Sequence, residues 1–435
     1  MTKDEILLAS QECLFPSVFH YYRKPLVLVR AKDQYVWDAD GHPYLDFFGG
    51  ILTISAGHCN ERVNRAIHDQ VETLQHVSTL FPTEPQAALA RKIASIAPGP
   101  GWKSFFTCSG TEANETAILA ARCYTGSSEI IALRHSYHGR SSLAMGLSGQ
   151  ANWKIAPAAQ PGIVFAHNAY CYRCPFGLTY PNCEIRCAQD VKEVIRTATT
   201  GQIAGMIAEP IQGVGGFITP PREYFSIVAD IVRQHGGVFI SDEVQTAWGR
   251  TGRKWWGIEH WDVTPDIVTS AKGLANGMPI GLTAARSEVA ESVRKLTIST
   301  FGGGPVPTAA AKAVIDFIEQ ENLAGNAAEV GSYLRGRLEE LKEKYPLIGD
   351  VRGMGLMQAI ELVQDRVTKV PATMETLQLM EAARENGILI GRGGLDGNVI
   401  RISPPLNISR RDVDQFIQAL DESFEKIAAA CTASA

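Results

Sequence analysis

No apolar run in this chain is long enough to cross a bilayer, and there is no basic excess: 41 lysines and arginines stand against 46 aspartates and glutamates, for a net charge of −5. The first absence argues against a membrane protein. The second argues against the electrostatic footprint of a nucleic-acid binder. Internal repeats and low-complexity linkers are missing as well. The start, Met1-Thr2-Lys3-Asp4-Glu5, is charged and leads into only a short apolar patch, so a secretory signal is not expected and a cytoplasmic enzyme is. What is present, 435 residues with 45% hydrophobic and 20% charged, is the composition of an ordinary soluble protein with a large core and two expected domains.

Four of the nine cysteines fall in one loop, Cys171-Tyr172-Arg173-Cys174 followed by Cys183 and Cys187. A C-x2-C and C-x3-C arrangement permits a thiolate-bound structural metal, a pair of disulfides, or four reduced thiols packed among Pro175, Phe176, Tyr180 and Pro181. A reducing cytosol disfavours the disulfides. On any of the three readings the loop is structural rather than catalytic.

From about Asn60 to Gly304 short apolar runs alternate with amphipathic helical patterns, which predicts an α/β fold with a mainly parallel sheet. Strands are expected at Phe105-Phe106, Ile130–Leu133, Ile203–Ala208, Val238-Phe239-Ile240 and Ile267-Val268, with a helix over Tyr224–Gln234. Ahead of this region, Asp38-Ala39-Asp40-Gly41 between two β-rich runs reads as a hairpin. Beyond Pro307 long helices, a strand at Met357–Leu362 and a closing helix capped by Ser409 and Asp412 predict a smaller α+β domain. The expected division is an N-terminal segment over 1–59 that joins the small domain, a large domain over 60–306 and the small domain over 307–435.

Chemistry concentrates where the predicted strands end. Asp242 and Lys272 each follow a buried apolar run, which is how a parallel strand delivers a functional side chain at its carboxyl end. A lysine that can condense with an aldehyde, beside a carboxylate that can hold a heterocyclic nitrogen protonated, is the pair pyridoxal phosphate requires. Ser109-Gly110-Thr111 between a strand and a helix start offers hydroxyls and free backbone N–H groups for a phosphate, although serine there also serves as an ordinary cap. Tyr137 at another strand end can cover one face of a planar ring or pack in the core, and neighbouring His138 can contact the cofactor or sit satisfied in its loop. Glu209 ends a further strand. Arg401, set in the apolar run Val399-Ile400-Arg401-Ile402, needs an anion or a structural acid to be tolerated there.

Taken in order, Ser109-Gly110-Thr111-Glu112-Ala113-Asn114, Tyr137-His138-Gly139, Glu209-Pro210-Ile211-Gln212-Gly213, Asp242-Glu243-Val244-Gln245, Lys272-Gly273, Thr300-Phe301-Gly302-Gly303 and Arg401-Ile402-Ser403-Pro404 resemble the class III (ω-type) aminotransferases over nearly the whole chain. Asp46-Phe47-Phe48-Gly49-Gly50 and Asp350-Val351-Arg352-Gly353-Met354-Gly355 are most similar to the alanine–glyoxylate branch. The resemblance implies a fold type I pyridoxal-phosphate transferase, a homodimer with shared active sites, an amine or amino-acid donor and a keto-acid acceptor such as pyruvate or glyoxylate. It implies that Lys272 links to the cofactor and Asp242 partners its ring nitrogen. Val244 and Tyr137 would cover the two ring faces, Gln245 would lie near the phenolic oxygen, and Gly110 and Thr111 would bind phosphate with Thr300 of the second subunit. Glu209 and Arg401 would form the pair that opens or closes a carboxylate site.

Two positions depart from the family pattern: Gly304-Pro305 where asparagine usually precedes the proline, which predicts a looser loop, and His58-Cys59-Asn60-Glu61 where His-Pro is usual. A decarboxylase or other lyase could share this scaffold, since only the bond held perpendicular to the ring differs. A non-catalytic binding module would not need Lys272, Asp242, Glu209 and Arg401 together. Phe19, Tyr21, Tyr22, Phe48, Ile51, Leu52 and Trp248 are candidates either for a substrate pocket or for core packing.

Overall fold

The structure, a computed structural model, describes residues 1–156 and 160–433. Its centre is a seven-stranded sheet in the order Trp102–Thr107, Gly281–Arg286, Ile267–Ser270, Val238–Asp242, Gly205–Ala208, Ile130–Leu133, Ile163–Ala166. Every residue of Val238–Asp242 and Ile267–Ser270 is buried, so both strands are covered on both faces, as the continuous apolar runs before Asp242 and Lys272 require. Helices such as Gly110–Thr125, Arg186–Ala198 and Tyr224–Gln234 lie against the sheet. The last of these has the span its periodicity predicts.

Gly281–Arg286 breaks the parallel pattern. It pairs antiparallel with both Trp102–Thr107 and Ile267–Ser270. Its run Gly281-Leu282-Thr283-Ala284-Ala285 holds a single β-branched residue, so the density that marks Val238–Asp242 and Ile267–Ser270 is absent. The strand read as Ile203–Ala208 begins at Gly205, with Ile203 and Ala204 buried ahead of it. The parallel strands all end at the same edge of the sheet, and that edge carries the chemistry.

Two smaller sheets flank the first. Tyr35–Asp38 and Pro43–Asp46 form the expected hairpin, with Val36 opposite Tyr44. Asp38 Oδ1 accepts from the Asp40 and His42 amides, and Gly41 takes φ +86° to complete the turn. Leu45 and Asp46 pair in parallel with Ile388 and Leu389, which ties the N-terminal segment to the C-terminal part of the chain. The second sheet runs Ile348–Met354, Met357–Leu362, Val399–Ile402, Gly391–Gly393, all antiparallel. The closing helix, Arg410–Ala433, starts with a reciprocal cap: the Ser409 amide donates to Asp412 Oδ2 and the Asp412 amide donates to Ser409 Oγ. It buries Val413, Phe416, Ile417, Leu420 and Phe424, with Phe416 stacked on Phe47 at 4.0 Å. Each such side chain contributes about 1.5–3 kcal/mol of burial free energy.

Both departures from the family pattern have local explanations. Asn60 caps the helix Glu61–Thr73 by accepting from the Arg62 and Val63 amides. Gly304 precedes the helix Pro305–Gln320, whose first residue is the proline, the position where a missing N–H costs nothing. The looser loop expected there is instead a regular helix start.

Candidate active site

Five strand ends converge. Asp242 closes Val238–Asp242, and Glu209 directly follows Gly205–Ala208. Lys272 lies just beyond Ile267–Ser270, Tyr137 and His138 follow Ile130–Leu133, and Gly110 opens the helix after Trp102–Thr107. Between them lies a cavity of about 170 Å³ lined by Gly110, Thr111, Tyr137, His138 and Glu209 on one side and Asp242, Val244, Gln245 and Lys272 on the other. A second cavity of about 650 Å³ shares Tyr137, Gln245 and Lys272 and reaches Arg401.

Asp242 is almost fully buried and is held by three contacts. Asn114 Nδ2 donates to its Oδ2 at 2.8 Å, His138 Nδ1 lies 2.7 Å from the same oxygen, and the Val244 amide donates to Oδ1 at 3.1 Å. A carboxylate only accepts, so Nδ1 is the protonated nitrogen of His138. His138 is itself fixed by its amide, which donates to Ser148 Oγ, while its buried Nε2 has no partner. Asn114 also donates to the His138 carbonyl and accepts from Thr269 Oγ1 at 2.6 Å. Sequence reading passed over both Asn114 and Thr269. The available signal was a polar residue on the inward face of the first helical turn, one turn past Gly110.

Lys272 sits at φ +43°, a left-handed conformation costing a non-glycine residue about 1–3 kcal/mol, which the surrounding structure must override. Its amine forms no hydrogen bond or ion pair with the described residues. Burial pulls its pKa below the ordinary lysine value, against the attraction of Asp242 and Glu209, with Arg401 adding to the lowering. A larger share of neutral, nucleophilic amine results.

Glu209 and Arg401 do not form the ion pair expected of them. Glu209 instead accepts from the Tyr137 amide at 2.9 Å and the Gly213 amide at 2.8 Å. Burial, together with the Asp242 charge, pushes its pKa up to about 7, partly offset by His138. Arg401 donates through Nε to the Arg392 carbonyl and lies over the rings of Phe48 at 5.1 Å and Phe217 at 5.8 Å. Its buried Nη1 has no acceptor. The two backbone amides satisfy Glu209 without a cation, and the aromatic faces hold Arg401 in place of an acid. A guanidinium with a spare donor beside the pocket is available to a carboxylate.

Two further residues lie outside the small cavity. Ser109 acts as a helix cap, its Oγ accepting from the Glu112 amide at 3.3 Å. Thr300 is exposed on the surface and does not line the small cavity. Of the ambiguous residues, Phe19, Tyr21, Tyr22, Phe48 and Ile51 line the larger cavity. Leu52 is core, and so is Trp248, whose Nε1 donates to Ser270 Oγ. Trp153, which meets Tyr137 edge to face at 5.3 Å, and His58 join the pocket wall unforeseen, Trp153 from the short 3-10 turn Ala151–Trp153 and His58 from a single bridge to Asp33.

The cradle fits a phosphorylated planar heterocycle. A Cβ at Gly139, where φ is +134°, would lie 2.5 Å from Thr111 Oγ1, and one at Gly110 would lie 3.0 Å from Val244. The first amides of the helix Gly110–Thr125 lack helical partners and point where an anion would sit. Gln245 Oε1 is buried without a donor. We expect Gly139→Ala to weaken binding of pyridoxal phosphate by at least about tenfold, read by absorbance titration, with the melting temperature of the cofactor-free protein little changed. An unchanged dissociation constant would show that Thr111 is not part of the phosphate site.

Comparison with known proteins follows the same line. The profile of the family described as aminotransferase class-III matches residues 19–424. The chain is similar to an alanine–glyoxylate aminotransferase 2 homolog (homolog 2, mitochondrial) of Arabidopsis thaliana, with 45% identity over 98% of this chain and 88% of that one. Among solved structures it resembles a thermostable (S)-enantioselective omega-transaminase from Thermomicrobium roseum, at 34% identity with a TM-score of 0.91, covering 98% of this chain and 99% of that one. It also resembles an amine transaminase of an uncultivated Pseudomonas species in a pyridoxal-phosphate-bound form, at 31% identity with a TM-score of 0.88, covering 96% and 98%.

Proposed function

The chain belongs to the class III aminotransferases, a pyridoxal-phosphate enzyme transferring amino groups, and from that premise we propose how its own residues divide the work. When bound, pyridoxal phosphate supplies the electron sink that makes a substrate C–H bond acidic. Lys272 Nζ would hold the cofactor and, once released from it, would take up and return the proton of the substrate carbon. Its lowered pKa supports the role, because the shuttle needs a neutral amine. Asp242 would hold the ring nitrogen protonated, its carboxylate oriented by Asn114 and His138. Gly110 and Thr111 would receive the phosphate, and Val244 and Tyr137 would enclose the ring. The observation that carries the reading is that Lys272, with Tyr137 and Gln245, lines both the small cavity that holds Asp242 and the larger one that reaches Arg401.

Arg401 receives the carboxylate of an amino-acid donor and of the keto acid, pyruvate or glyoxylate, that accepts the amino group. Its unpartnered Nη1 and its seat between two aromatic rings support this. Glu209, satisfied by backbone amides and with a raised pKa, leaves the guanidinium free. Arg401→Ala is expected to raise KM for carboxylate-bearing donors by about 100-fold, equivalent to about 2.7 kcal/mol. A simple arylalkylamine donor should be much less affected. Equal losses with both donor types would argue against carboxylate capture, and a donor panel against pyruvate, glyoxylate and 2-oxoglutarate reads the result.

The working form we propose is a homodimer with shared sites. Thr300 is exposed in a segment where Ile298 and Phe301 are exposed too, and Phe301 packs on His76. Apolar exposure of this kind supports a protein contact. A second copy would then bring Thr300 to the phosphate, which a solution mass together with the cofactor affinity of Thr300→Ala tests. A cytoplasmic location is supported by the unpaired state of all eight described cysteines and is checked by cell fractionation.

A further inference from the structure

The loop that follows the strand Ile163–Ala166 has no part in amino-group transfer, yet it gathers four thiols. Cys171 opens the short 3-10 turn Cys171–Arg173, and Cys174 terminates it. Cys183 stands just ahead of the helix Arg186–Ala198, and Cys187 is in that helix's first turn. None of the four is in a disulfide.

All four line a single cavity of about 20 Å³, whose remaining wall combines apolar residues such as Phe176, Leu178 and Ile185 with Asn168, Tyr170, Tyr180 and Arg186. A space of that size admits one atom-sized guest. Clustered sulfurs are the preferred donors of a soft divalent cation.

We infer that Cys171, Cys174, Cys183 and Cys187 bind one structural zinc ion as four thiolates. Four S–H protons leave to solvent as four Zn–S bonds form, with no change of oxidation state. Among the described residues no three of these sulfurs lie within 4.8 Å of one another, so binding draws the thiols together across the cavity. Residues 174–185 contain no helix or strand to oppose that movement. Arg186 lines the same cavity and offsets part of the charge left by four thiolates on one dication.

The structural consequence lies next door. The residues around Cys171 carry Tyr170 and Arg173 onto the buried Glu361, which sits on the strand Met357–Leu362 and also accepts from Arg352 at 2.7 Å. Zinc would clamp the loop that supports this strut between the central sheet and the C-terminal sheet.

The test uses full-length holoenzyme produced in zinc-supplemented medium and purified without chelators. Elemental analysis should find about one zinc per chain. Cobalt-substituted wild-type protein should show the thiolate-to-cobalt charge transfer and strong visible bands of a tetrahedral site. Cys183→Ser should hold at least about tenfold less zinc while keeping the cofactor absorbance, and should melt at a lower temperature. Wild-type protein free of stoichiometric zinc, with all four thiols reacting freely or joined in disulfides, would overturn the proposal. So would zinc retained in full by Cys183→Ser with an octahedral cobalt spectrum.

Discussion

Lys272→Ala will lose turnover by about 10,000-fold or more, because one substitution removes both the covalent anchor and the proton carrier. A loss of that size corresponds to about 5.5 kcal/mol of transition-state stabilisation. Folding should survive. The lysine amine makes no hydrogen bond or ion pair with the described residues, and burying it is unfavourable, as its lowered pKa records. Cofactor should still bind through the cradle of Gly110, Thr111 and Asp242, but without the absorbance of the lysine-linked form. The measurements are kcat with the best donor, the visible spectrum before and after borohydride reduction, and partial rescue by a small exogenous amine. Retention of more than a few per cent of activity would falsify the assignment of Lys272.

Asp242→Asn is expected to leave the cofactor bound and slow kcat by about 1,000-fold, within the range for removing one acid–base function. Its shape is nearly that of aspartate, so the cost is electrostatic. The carboxylate meets the donors Asn114 Nδ2 and His138 Nδ1 at one oxygen and the Val244 amide at the other. An amide presents an acceptor at only one of those two oxygens, so at least one donor loses its partner or rearranges. With the negative charge gone, nothing at this end of the cavity keeps a ring nitrogen protonated. Proton abstraction should then limit the rate, seen as a larger primary isotope effect with an α-deuterated donor. A near-normal kcat with an unchanged isotope effect would remove Asp242 from that role. Asn114→Ala should move the same isotope effect in the same direction by less, since it loosens the carboxylate without discharging it.

Much of the site is legible in sequence because parallel α/β sheets put function at strand ends. A buried strand reads as an apolar run, and the polar residue that ends it has to face the crevice. Asp242, Lys272, Glu209 and Tyr137 were each found by that pattern, and Gly110 and Thr111 by the helix start that follows a strand. The pattern fails where a side chain's partner depends on three-dimensional neighbours. Ser109 turned out to be a cap, which its sequence neighbours could not distinguish from a phosphate ligand. Asn114 and Thr269 were invisible because polar residues in a helix and a strand become meaningful only when sheet packing brings them to one carboxylate.

The sequence by itself determined the α/β class and, through its resemblance to the class III aminotransferases, pointed to the cofactor and to amino-group transfer, because those follow from short-range patterns and from residue types that pyridoxal-phosphate chemistry needs together. Only the tertiary structure decided that Glu209 is satisfied by the Tyr137 and Gly213 amides and that Arg401 rests against Phe48 and Phe217 with a donor to spare. It also separated Phe19, Tyr21 and Phe48, which line a pocket, from Leu52 and Trp248, which fill the core. The physical reason is the same in each case. Whether a buried polar or aromatic group pairs, stacks or stays available is settled by atoms far away in the chain, and no local pattern encodes them.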